Sequence, residues 1–86
     1  MPQISNFFGI IIKMFYNEHN PPHFHAEYGE YKCSIDIQTL AVIEGFLPAR
    51  ALGLVVEWAT LHKEELINNW QNIERKQPLY KIEPLQ

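Results

Sequence analysis

The stretch NPPHFHAEYGEYKCSID, Asn20–Asp36, decides the fold of this chain. His23 to Tyr28 alternates in character residue by residue, and so does Tyr31 to Ile37. Such alternation marks strands with one face buried. Gly29 and Glu30 lie between them, and a two-residue link with glycine first suits a type II′ hairpin turn. The turn sets the register. It predicts Tyr28 opposite Tyr31, Ala26 opposite Cys33 and Phe24 opposite Ile35 on one side of the hairpin. The other side pairs Glu27 with Lys32, His25 with Ser34 and His23 with Asp36. Alternation and turn chemistry are independent signals, and both sort the apolar residues onto one face.

Upstream, Phe8 to Tyr16 is dense in Ile, Phe and Tyr and reads as a central strand with two apolar faces. Asn17 to Pro22 reads as a loop, because its prolines cannot donate to a sheet ladder. Downstream, Leu40 to Glu44 reads as a fourth short strand that Gly45 ends. Pro48 suits the first turn of a helix. From Ala49 to about Lys76, Leu52, Val55, Val56, Ala59, Leu66, Trp70 and Ile73 form one stripe at helical spacing, and Pro78 stops it. The expected fold is α+β: a small antiparallel sheet of three to four strands, then a long C-terminal helix packed on one face. Burial of this half of the helix on both sides, or a break near His62, is one way to accommodate Leu54, Trp58 and Leu61, which lie away from the stripe. A homodimer through those three residues is a second way. A third is the tail from Leu79 to Leu85 folding back over them.

Eighty-six residues make a single domain, 1–86, with one core and little room for a deep pocket. The net charge of −3 argues against a general nucleic-acid binder while leaving room for a local basic site. The lone Cys33 makes no internal disulfide, which fits a reducing, cytoplasmic setting. The apolar run FFGIIIKMFY is too short to cross a membrane and Lys13 interrupts it, so no membrane partner is expected.

The polar hairpin face carries the candidate chemistry: His23, His25, Glu27, Lys32, Ser34 and Asp36. HxH on a strand points both imidazoles the same way. With a carboxylate, His23 and His25 are candidate ligands for a divalent metal such as Zn²⁺. Glu27 continues the row, Asp36 faces His23, and His19 in the loop is a further donor. Without a metal, His23, His25, Glu27, Asp36 and Lys32 are candidate acid–base and charge-stabilising groups, suited to RNA cleavage. The plain alternative is a solvated sheet face with cross-strand ion pairs. Cys33 and Trp70 read as core, His62 as a boundary residue, and Glu64 and Glu65 as a solvated face.

Three segments carry a family resemblance: ISNFFGIIIKMFYNEHNPPHFHAEYGEYKCSIDI, LPARALGLVVEWATLHKEELINNW and the closing KIEPL. With the N-x-x-H-x-H core in NPPHFHA and the EWA-x-LH-x-EEL helix, they resemble the bacterial domain-of-unknown-function family 4160. The resemblance implies a small stand-alone bacterial protein. Some relatives are described as toxin components of toxin–antitoxin pairs, so it also implies a small antitoxin-like partner. Three functions follow as expectations: a toxin-like module acting through the His/acid face on RNA, a metal-binding protein or metal-dependent enzyme, and a non-catalytic dimeric interaction module.

Overall fold

The computed structural model describes residues 3–86. It is α+β, with five antiparallel strands in the spatial order of the sequence and two helices. The strands are β1 (Gln3–Phe7), β2 (Ile10–Lys13), β3 (His23–Tyr28), β4 (Tyr31–Asp36) and β5 (Val42–Gly45). The helices are α1 (Ala49–Leu61) and α2 (Lys63–Glu74).

The β3–β4 hairpin has the expected register at all six pairs, from His23 opposite Asp36 to Tyr28 opposite Tyr31. Gly29 has a φ of 59°, as the first central residue of a type II′ turn requires. The expected strand Phe8–Tyr16 is corrected. Phe8 and Gly9 both have positive φ and form a tight turn joining Phe7 to Ile10. The strand that follows is second in the sheet, and Gln3–Phe7 supplies a first strand that the sequence reading left unassigned. Two aromatic residues gave FFG a strand-like composition, but glycine's backbone freedom fits the turn. The fourth strand of the sequence reading is β5, shifted by a register irregularity opposite Ser34 and Ile35.

One sheet face, with Ile10, Ile12, Phe24, Ala26, Cys33 and Ile35, is buried with Val55, Trp58, Ala59, Leu66 and Trp70 of the helices. The helical segment does break at His62, whose backbone N–H still bonds Trp58 and Ala59 carbonyls. Glu64 and Glu65 open α2 where the helix dipole favours negative charge.

Trp58 follows the expected alternative in which the tail folds back over the outer helix face. It is fully buried, tilted against Phe7 and edge-on to Phe24 with ring centroids at 5.4 and 5.9 Å. Its indole N–H donates to the Glu83 carbonyl at 2.8 Å. Leu54 is half-buried against the core, and Leu61 alone of the three stays largely exposed. The tail covers this side. Ile82 is buried and its N–H bonds the Ile4 carbonyl at 2.8 Å, so the tail also occupies the β1 edge. Buried Asn69 clamps it, donating to the Tyr80 carbonyl and accepting from the Tyr80 N–H, each at 2.9 Å.

Candidate metal centre

The β2–β3 loop turns sharply at Asn17, whose φ is 68°. Asparagine tolerates this left-handed conformation better than most residues. Tyr16 ties the loop to the end of α2 by donating its hydroxyl to the Gln77 carbonyl at 2.6 Å. The loop then brings Glu18 over the start of β3, where HxH spacing presents His23 and His25 side by side.

Glu18, His23 and His25 each offer one ligand atom, and these atoms lie within 4.8 Å of one another. His23 Nε2 stands 3.2 Å from Glu18 Oε1, and His25 Nε2 contacts the same oxygen. The other ring nitrogens are engaged as well. His23 Nδ1 lies 2.8 Å from the Pro21 carbonyl, which only accepts, so Nδ1 carries a proton. His25 Nδ1 bonds the hydroxyl of buried Ser34 at 3.2 Å. Trp70 packs on the His23 ring at 5.3 Å and Phe15 on the His25 ring at 4.8 Å, which fixes both orientations.

In neutral His23 the Nδ1 proton leaves a lone pair on Nε2, facing a carboxylate oxygen that also bears lone pairs. A hydrogen-bonding proton or a metal cation must lie between them. Burial alone would raise the Glu18 carboxyl. Its hydrogen bond to His25 and the charges of His25 and His23 outweigh that effect and hold it below the ordinary carboxylate range.

The structure separates the sequence candidates. His23 and His25 share the site. Glu27 instead pairs with Lys13 at 3.2 Å. Asp36 is opposite His23 in register, yet its carboxylate accepts from the Gln38 and Thr39 N–H groups at 2.7 and 2.9 Å. Lys32 is exposed further along β4, and His19 is exposed in the loop. The carboxylate that completes the cluster is Glu18, which sequence reasoning missed. Strand periodicity extends along a strand, and Glu18 reaches the site through a loop. The available signal was an acid beside a turn-forming Asn in NEHNPPHFH.

The cluster opens on a shallow groove of about 270 Å³ that Ser34, Ile43 and Glu44 also line. A second groove of about 330 Å³ shares His25, Ser34 and Glu44 and extends to Phe15 and Lys32. Among the described residues no helix is long and apolar enough to cross a membrane.

No curated protein and no solved structure matches the chain. A family model matches residues 9–71, a span that includes all three clustered residues and the hairpin that carries two of them. The chain therefore belongs to the family described as domain of unknown function DUF4160.

Proposed function

We propose that this chain binds a divalent transition-metal ion through Glu18 Oε1, His23 Nε2 and His25 Nε2. The observation that carries the reading is the convergence of these three atoms within 4.8 Å, with both second ring nitrogens already engaged. Two imidazoles and one carboxylate are a donor set suited to Zn²⁺ or Fe²⁺ with open positions for water or substrate. The Pro21 carbonyl and the Ser34 hydroxyl are the kind of outer contact that orients ligating histidines.

Metal-free RNA cleavage, the toxin-like reading, has less support. It calls for a cation beside the histidines: Lys13, opposite His25 in register, is engaged by Glu27, and Lys32 stands further along β4, two residues from the Ser34 that faces His25. The implication of an antitoxin-like partner rests on the family resemblance alone.

Calorimetric titration of metal-stripped protein with Zn²⁺ tests the metal reading. About one ion should bind per chain. Glu18→Gln, His23→Ala and His25→Ala should each weaken binding at least tenfold, with circular dichroism unchanged. Binding that is absent in the wild type, or as tight in all three variants as in the wild type, overturns it.

A further inference from the structure

The strand register builds a polar row across the outer sheet face. Lys13 on β2 is opposite His25 on β3, His25 is opposite Ser34 on β4, and Ser34 is opposite Glu44 on β5. Glu44 lines the same groove as Glu18, His23 and His25. Its carboxylate has no hydrogen bond or ion pair among the described residues, and it is not among the three groups whose ligand atoms converge. It is an exposed, unengaged base beside a candidate metal centre. The adjoining groove adds Lys32, two residues before Ser34 and therefore about 7 Å along the strand. The carboxylate opposite Lys32 belongs to Glu27, which is bonded to Lys13, so the Lys32 ammonium is available to an anion.

We infer that this face hydrolyses phosphoesters, with Glu44 as general base and Lys32 as the phosphate-holding cation. The inference rests on the metal reading above. The bound cation would supply Lewis acidity and charge neutralisation at the phosphoryl oxygens. Glu44 accepts a proton from the attacking water, whose oxygen bonds to phosphorus. The ester P–O bond breaks with its electron pair on the leaving oxygen, which takes a proton from solvent on the far side of phosphorus, and Glu44 gives its own proton back to water. Lys32 faces the remaining negative charge of the substrate. The groove is too shallow to enclose a large molecule, so recognition centres on the phosphoester itself. A small ester and an RNA backbone share that chemistry.

The test uses full-length protein stripped of metal and reloaded with Zn²⁺ or Mn²⁺. One arm takes bis(p-nitrophenyl) phosphate and the other a short oligoribonucleotide. Metal-dependent cleavage in either arm supports the inference, and the productive arm identifies the source of the phosphoester. Glu44→Gln should lower kcat roughly hundredfold and leave the Zn²⁺ affinity within about threefold. Lys32→Ala should raise KM with kcat largely kept. Zinc binding without hydrolysis in either arm overturns the inference and leaves the metal reading standing. Unchanged kcat in Glu44→Gln overturns the base role, and a tenfold loss of Zn²⁺ affinity there makes Glu44 a ligand instead. Cleavage that persists in EDTA overturns the metal-dependent step, and failure to bind zinc overturns both readings.

Discussion

Glu18 is the residue on which the candidate site turns, and its charge state has a measurable consequence. Its folded carboxyl lies below the ordinary range, because His25 and His23 favour the charged form more than burial opposes it. A carboxyl depressed on folding contributes stability that is present above its unfolded pKa and lost as pH falls through the folded value. In metal-free protein, wild type should therefore exceed Glu18→Gln in urea-unfolding stability at pH 7. The gap should shrink as pH falls below about 4, the unfolded carboxylate range. A gap that widens in acid would contradict this sign. Cys33 behaves in the opposite sense: it is buried on the inner face, and burial pushes its thiol up. The thiolate is the reactive form. A thiol reagent at pH 8 should label Cys33 only at the rate of unfolding, and rapid labelling of native protein would show an open inner face.

Two turns show how far local chemistry governs the elements. The Gly29–Glu30 turn is legible because glycine stands where positive φ is required and alternation flanks it on both sides. The Phe8–Gly9 turn is hidden because Phe8 occupies a left-handed position, with φ of 50°, that phenylalanine rarely takes. Phe8 is 60% exposed, so replacing it forfeits little burial. Phe8→Asn creates the favoured Asn-Gly turn and should raise stability by roughly 0.5–1 kcal/mol in chemical denaturation. Gly45 is the converse case. Its φ is 86°, and a Cβ there would come within 2.8 Å of Cys33 Cα and closer still to the Lys32 carbonyl. Gly45→Ala should cost more than about 1 kcal/mol. It should also disturb β5, the strand that brings Ile43 and Glu44 to the groove. A neutral result would mean that β5 shifts freely.

At the scale of the whole molecule, the tail acts as a structural element although it forms neither helix nor strand. It buries Ile82, accepts the Trp58 indole N–H, bonds the β1 edge and fills the Asn69 amide. Truncation after Pro78 removes a buried isoleucine and leaves buried polar groups unpaired. It should destabilise the protein by roughly 3–5 kcal/mol. Trp58 emission should shift to longer wavelength, and the truncated chain should self-associate in sedimentation as its apolar helix side is uncovered. An unchanged melting temperature would remove the tail from the core.

The hairpin, its register and the pairing of His23 with His25 on one strand were legible because they depend on period-two alternation and one glycine turn. The helix stripe follows from spacing in the same way, whereas the break near His62 was one of several alternatives that spacing left open. Tertiary structure decided the rest. Trp58 looks surplus on a helical wheel, which carries no information about a tail 25 residues away. Glu27 and Asp36 looked like the natural partners of the histidines, yet Lys13 on a neighbouring strand claims one and the backbone of its own turn claims the other. Glu18 joins the cluster only because a loop turning at Asn17 folds over the end of β3. Periodicity describes which way a side chain points from its own element. The approach of a loop or tail from elsewhere in the chain depends on how the whole molecule packs.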